Sequence, residues 1–177
     1  MPRSVMRTTV GADALYRLLQ LVYFMLPAYL ANMAPPFLKY WKGWNPPIAT
    51  RQLGAHKTVL GFAAGVGVAV FVGWVQSQLA WRGALVDADA WLGLRLGFGA
   101  MAGDSLKSFV KRRVGIAPGA RWIPFDQVDF VIGALVLTWP RASLSSADAA
   151  VIFAVTIAGH ILVDHVGYRL RIRDTKW

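Results

Sequence analysis

The chain has 177 residues, of which 56% are hydrophobic and only 16% charged, with a mean hydropathy of +0.44 and a formal net charge of +10. It is too apolar for an ordinary soluble domain. It contains no cysteine, which excludes disulfides, zinc–thiolate sites and a thiol nucleophile. Eight tryptophans in so short a chain suit the aromatic belts of a bilayer interface.

In chain order the sequence predicts an all-α integral membrane protein of about five transmembrane helices. The first span covers 14–38, contains Pro27 and ends at Pro35-Pro36, so a kink is expected. The second, 58–80, is glycine-rich (GFAAGVGVAVFVGWV). The third, 89–109, carries Arg95 and Asp104; the fourth, 125–139, is short and opens with Asp126 and Asp129. The fifth, 147–168, carries His160, Asp164 and His165.

Cations are distributed unevenly around these spans. Lys39, Lys42, Arg51 and Lys57 lie between spans 1 and 2; Lys107, Lys111, Arg112, Arg113 and Arg121 lie around the turn between spans 3 and 4. Arg169, Arg171, Arg173 and Lys176 follow span 5. The opposite side has Arg3, Arg7, Arg82 and Arg141, while Arg17 and Arg95 fall inside spans. The positive-inside bias predicts an N-terminus outside and a C-terminus in the cytoplasm. Topology therefore accounts for the positive charge, and no nucleic-acid partner is expected. No cleavable signal peptide and no soluble domain are discerned, so residues 1–177 are read as one membrane domain.

The stretch from 103 to 129, GDSLKSFVKRRVGIAPGARWIPFDQVD, is the densest in chemistry. Asp104, Lys107 and Lys111 stand at i, i+3 and i+7 on one helical face, with Ser108 on the same side. A carboxylate can bind Mg2+, lysines can hold phosphates as point charges, and Arg112 and Arg113 offer bidentate geometry. The competing reading makes the basic residues topology anchors. Asp126 and Asp129 also share a helical face, and two carboxylates so close repel unless a cation or proton separates them. A divalent metal is the economical solution; an N-terminal capping pair is the alternative. In LGAHKTVLGF, Gly54 and Gly61 flank His56, Lys57 and Thr58, which can form a phosphate- or base-binding turn or simply mark the cytoplasmic side. His160 and His165, at i and i+5, do not share a face well enough for a metal pair, whereas Asp164 and Tyr168 can line a site. No GxxxxGK[ST] or GxGxxG motif is present.

Three of these segments carry a resemblance: KT-x-x-G at 57–61, GD-S-x-K-S-x-x-K-R at 103–112 and P-x-D-Q-x-D at 124–129. They are similar to the CTP-dependent cytidylyltransferases that make CDP-lipids. The bacterial phosphatidate cytidylyltransferases have S-x-x-K-R…PGHGG-x-x-DR-x-D; this chain reads PGARWIPFDQVD, without HGG and with Gln127 in place of Arg. The short five-span form with FDQ-x-D resembles the archaeal branch, the CDP-archaeol synthases, and the tail 168–177 is loosely similar to that branch's polar ending. Leu60 stands where relatives carry Glu or Arg.

The resemblance implies transfer of CMP from CTP to an isoprenoid glycerol phosphate, 2,3-bis-O-geranylgeranylglycerol 1-phosphate, giving CDP-archaeol and pyrophosphate. It implies a multi-pass protein of the cell membrane with its active site on the cytoplasmic face. Asp104, Asp126 and Asp129 are expected to hold Mg2+ against the triphosphate, with Lys107, Lys111, Arg112 and Arg113 neutralising phosphates. Lys57, Thr58 and Gly61 are expected to support the triphosphate, and Ser105, Ser108 and Gln127 to donate or orient. The polyprenyl chains are expected between the spans or against lipid. Other readings are a diacyl-lipid phosphatidate cytidylyltransferase, a lipid kinase, a small transporter and a non-catalytic protein that binds anionic lipid.

Overall fold

The structure is a computed structural model that describes residues 3–117 and 120–169. Among the described residues the regular elements are helical: α1 (Arg3–Met33), a 3-10 turn (Pro35–Tyr40), the short α2 (Thr50–Leu53), α3 (Val59–Leu79), α4 (Ala90–Arg113), α5 (Phe125–Ala142) and α6 (Ser146–Arg169). The five long helices overlap the five expected spans, although α1 begins at Arg3 and ends at Met33 where 14–38 is expected, and α4 runs on to Arg113. Pro27 lies inside α1, which continues beyond it to Met33, and Pro35-Pro36 then begin the 3-10 turn.

Local chemistry sets the helix ends. Thr58 caps α3, its hydroxyl oxygen accepting from the Gly61 N–H at 3.2 Å. Asp89 caps α4 by accepting from the Leu92 N–H. Ser145 and Asp148 form a reciprocal box at the start of α6: the Asp148 N–H donates to Ser145 Oγ at 3.1 Å, and the Ser145 N–H to Asp148 Oδ2 at 3.0 Å. The same carboxylate receives Arg17 of α1 in a two-pronged ion pair at 2.9 and 2.7 Å, which ties α6 to α1.

The centre of the bundle is α4, which packs between α3 and α5, with α1 across α3 and α4. Two stripes of glycine on α4 make this possible. Gly93 and Gly97 lie against Ala69 and its neighbours on α3; Gly99 and Gly103 lie against Gly133 on α5. A Cβ at Gly133 would overlap the Gly99 carbonyl oxygen, and one at Gly103 would overlap that of Asp129. Close helix approach through small residues at i and i+4 is the usual means of packing within lipid, where helix association gains little from the hydrophobic effect. The core between the helices includes Met25, Leu96, Phe130, Val131 and Ile152. Large apolar side chains such as Phe71, Trp74, Val136 and Leu162 face outwards.

Among the described residues, three segments are long and apolar enough to cross a membrane: Gly11–Leu38, Val59–Leu79 and Ser146–Val163. With 21 residues, α3 is about 32 Å long. The lower apolarity of α4 and α5 has a plain cause. They carry Arg95, Asp104 and Lys107, and Asp126, Asp129 and Arg141, respectively.

The glycine packing makes a test of the fold. Gly133→Leu should lower the melting temperature in detergent by on the order of 5–10 °C, because overpacking forces α4 and α5 apart. Gly67→Leu, on an exposed face of α3 with open space around it, should leave it nearly unchanged.

Candidate active site

Three helix segments converge on one charged cluster. Lys57 stands just before the cap of α3, Asp104, Lys107 and Lys111 line one side of α4, and Asp126 and Asp129 occupy the first turns of α5. Lys107 is at the middle: its Nζ lies 3.2 Å from Asp104 Oδ1, 3.2 Å from Asp126 Oδ1 and 2.7 Å from Asp129 Oδ2. Lys57 pairs with the other oxygen of Asp104. Lys111 donates to both oxygens of Asp126, at 3.0 and 3.1 Å, and to the Ala120 carbonyl.

The chain between α4 and α5 is folded to allow this. Gly115 takes a left-handed φ of 79°, and the Ile116 N–H returns to the Lys111 carbonyl at 2.9 Å, closing the end of α4. Asp126 Oδ2 accepts from the Trp122 N–H, so this carboxylate both joins the cluster and holds the loop.

The cluster sets three carboxylates against three ammonium groups. It is largely withdrawn from solvent: the Asp129 side chain is 6% exposed and that of Lys107 is 15% exposed. Removing such charges from water is costly unless each is matched. The matching is incomplete at one atom. Asp129 Oδ2 is buried and, although close to Lys107 Nζ, accepts no hydrogen bond of proper geometry. The donor set of Asp104, Asp126 and Asp129 is all oxygen, as a hard divalent cation requires, and this under-served oxygen fits such a ligand role. Among the described residues no three acidic groups or histidines are already gathered as metal ligands. The Lys107 ammonium stands between the carboxylates.

The remaining expected residues fall into two groups. Ser105 is half-buried and lines the space beside the cluster. Arg112 and Arg113 lie one turn beyond it with Arg51 and Gln52, around a cavity of about 380 Å3; Arg112 donates to the Ala117 carbonyl, and Arg113 lies over the Phe109 ring. Ser108, by contrast, is buried and donates to the Asp104 carbonyl at 2.9 Å, so its hydroxyl serves its own helix. The Gln127 side chain, half-buried beside Asp126, has no hydrogen-bond partner among the described residues.

At the start of α3 the first amides are all engaged: Val59 with the Pro46 carbonyl, Leu60 with Asn45 Oδ1 and Gly61 with Thr58 Oγ1. Thr58 and Gly61 therefore shape the turn, and Lys57 is the group that reaches the cluster. His160 packs its ring near Phe130 of α5. The side chains of Asp164 and Tyr168, and the tail 170–177, lie outside the described residues.

Two larger cavities flank the cluster, and sequence spacing gave no sign of either. One, of about 830 Å3, is almost wholly apolar, walled by Phe98, Leu106, Phe109, Trp122 and Val136, with Lys107 and Asp129 at its edge. The other, of about 570 Å3, mixes polar and aromatic groups, including Asn32, Trp41, Asn45 and His56, and meets the cluster at Lys57 and Asp104.

Comparison with known proteins identifies the family. A family model described as CarS-like, CDP-archaeol synthase, matches residues 14–177. The chain belongs to the CDP-archaeol synthase family. It is 34% identical to the CDP-archaeol synthase of Methanopyrus kandleri, over 95% of this chain and 98% of that protein. It is also 34% identical to the one from Methanospirillum hungatei, over 86% and 100%. A solved structure described as an intramembrane enzyme for archaeal membrane lipids biosynthesis superposes with a TM-score of 0.65 at 28% identity, covering 83% of this chain and 94% of that one. The resemblance read from 57–61, 103–112 and 124–129 is thus borne out at the level of the family.

The central position of Lys107 can be tested by stability. Lys107→Met leaves three carboxylates facing one another, and melting in detergent without divalent cations should show a loss of about 3–5 kcal/mol. Arg113→Met, at the exposed end of α4, should change stability by no more than about 0.5 kcal/mol.

Proposed function

We propose that this chain is a CTP-dependent lipid cytidylyltransferase that transfers CMP to 2,3-bis-O-geranylgeranylglycerol 1-phosphate, forming CDP-archaeol and pyrophosphate. The observation that carries this reading is the placement of one charged cluster between two unlike cavities. The apolar cavity, edged by Lys107 and Asp129, suits polyprenyl chains with their phosphate drawn to the ammonium group. The polar cavity, edged by Lys57 and Asp104, suits a nucleotide. A lipid phosphate and a triphosphate held in these spaces meet at the cluster.

The reaction forms a bond from a lipid phosphate oxygen to the α-phosphorus of CTP and breaks the bond from that phosphorus to the bridging oxygen of the leaving pyrophosphate. Positioning and neutralisation are what such a transfer requires of the protein. Asp104, Asp126 and Asp129 would hold Mg2+, whose role is to bind triphosphate oxygens and offset the charge that develops on pyrophosphate. Lys107, freed from part of its carboxylate pairing, holds the lipid phosphate in line. Lys57 holds the triphosphate. Lys111 keeps Asp126 and the 114–124 loop in place, and Arg112 and Arg113 receive the outgoing pyrophosphate.

All five long helices are read as spans, with the N-terminus outside and the cluster on the cytoplasmic face of the cell membrane, where CTP is available. The cluster charges of α4 and α5 are then tolerable because they are largely withdrawn from solvent and paired with one another.

Turnover of radiolabelled CTP by purified protein in detergent tests the proposal. With geranylgeranyl glycerophosphate and Mg2+ a labelled CDP-lipid should appear, and EDTA should abolish it. ATP should not substitute, which would separate this reading from a kinase. Asp126→Asn retains an oxygen for the Trp122 N–H and should stay folded, yet lose activity by at least about 100-fold. Normal activity in that variant would remove Asp126 from the site. A diacyl acceptor used as well as the dialkyl one would favour a phosphatidate cytidylyltransferase.

A further inference from the structure

A second basic feature lies outside the charged cluster. At the end of α4, Arg112 and Arg113 share a cavity of about 380 Å3 with Arg51 and Gln52 of α2, and Phe109 is its apolar wall. The donors around it are under-used. Arg112 gives Nη2 to the Ala117 carbonyl at 3.1 Å, while its Nε and Nη1 are buried and meet no acceptor among the described residues. Arg113 lies over the Phe109 ring. The side chains of Arg51 and Gln52 are exposed and have no hydrogen-bond partner among the described residues. Three guanidinium groups with no carboxylate in the wall repel one another unless an anion joins them.

The surroundings indicate which anion. Phe109 walls both this cavity and the apolar one, and Leu53, next to Gln52, also lines the apolar cavity. Among the described residues, none lines both this cavity and the polar one. The arginines therefore adjoin the lipid side of the cluster. With 24 residues, α4 is about 36 Å long, roughly 6 Å more than the hydrocarbon layer of a bilayer. As a span it carries its last turn to the level of lipid headgroups, and Lys107 lies about 8 Å deeper along the helix.

We propose that this cavity is a capture site for the phosphate group of the incoming lipid, a phosphomonoester on isoprenoid chains, before that group moves along α4 to Lys107. The inference rests on the reaction proposed above and adds Arg51 and Gln52 to it. A lipid phosphate starts at headgroup depth, and taking it to the buried cluster costs desolvation. Guanidinium groups bind its oxygens in forked pairs, and they do so where the charge is still close to water. The Phe109 wall allows the chains to enter the apolar cavity while the phosphate stays with the arginines. Pyrophosphate reaches Arg112 and Arg113 only after the lipid phosphate has left them, so the two uses follow one another within a turnover.

Arg51 gives the cleanest test, since it lines neither of the two larger cavities and is exposed, so that Arg51→Met should fold. Steady-state kinetics of the full-length protein in mixed micelles, with geranylgeranyl glycerophosphate and CTP varied in turn, provide the first readout. Arg51→Met should raise the KM for the lipid about fivefold or more, with kcat and the KM for CTP little changed, and Arg51→Lys should recover most of the loss. Equilibrium binding of the labelled lipid phosphate, without CTP or Mg2+, should weaken by a similar factor. Binding of the corresponding digeranylgeranyl glycerol, which lacks the phosphate, should be equal in both proteins. An unchanged lipid KM and unchanged lipid binding in Arg51→Met overturn the capture site. Weaker inhibition by pyrophosphate as the only change would mean that the cavity serves the leaving product alone, which also overturns it. Absence of CDP-lipid from the unaltered protein would instead reject the proposed reaction, and the binding comparison would still decide whether the arginines hold a lipid phosphate.

Discussion

The Lys107 ammonium group among three aspartates is the interaction on which the rest of the structure depends. Asp104 comes from the same helix, three residues before it, while Asp126 and Asp129 come from α5. The pairing is possible only because α4 and α5 approach closely, and they approach closely because Gly99, Gly103 and Gly133 have no side chains to hold them apart. The glycine stripe thus sets the charged cluster as well as the packing. A bulkier contact at Gly133 would move the α5 carboxylates away from the α4 lysine and leave buried charge on both sides unmatched.

The same cluster explains the composition of the two helices that carry it. Among the described residues, α1, α3 and α6 provide the three segments apolar enough to cross a membrane, and large apolar side chains such as Leu19, Phe71 and Leu162 face outwards from them. α4 and α5 give up that character chiefly at one end, where Asp104, Lys107, Lys111, Asp126 and Asp129 meet and neutralise one another. The resulting site is asymmetric. An apolar cavity opens on one side and a polar, aromatic one on the other, with the charges between them. An enzyme joining an isoprenoid phosphate to a nucleotide needs such a division, since its two substrates have opposite solubilities and must meet at their phosphates.

Much of this was legible in the sequence. Hydrophobic length placed all five long helices, and the caps Thr58 and Asp89 mark the starts expected for α3 and α4. The i, i+3 and i+7 spacing correctly put Asp104, Lys107 and Lys111 on one side of α4, and the 124–129 motif pointed to the carboxylates opposite them. Helical spacing was less informative for Ser108, which shares that side but is bonded back to the Asp104 carbonyl. The pairing of Lys57 with Asp104 joins positions 47 residues apart, and no local pattern reports a contact of that kind. Nor does spacing reveal a cavity. No motif singles out Trp41 or Asn45, which the fold brings into the wall of the cavity beside Lys57. The engagement of the first amides of α3 likewise depends on Pro46 and Asn45 folding back over the helix start.

The central claim is that the aspartates matched by Lys107 also hold a metal-bound triphosphate. Equilibrium binding of labelled CTP to the purified protein, with Mg2+ and then with EDTA, addresses it most directly. The account predicts binding that requires Mg2+ and that is lost when Asp104 and Asp129 are both changed to Asn in a protein that remains folded. Binding as tight in EDTA as in Mg2+, or undiminished in that double variant, would contradict it and leave the cluster a purely structural lock between α4 and α5.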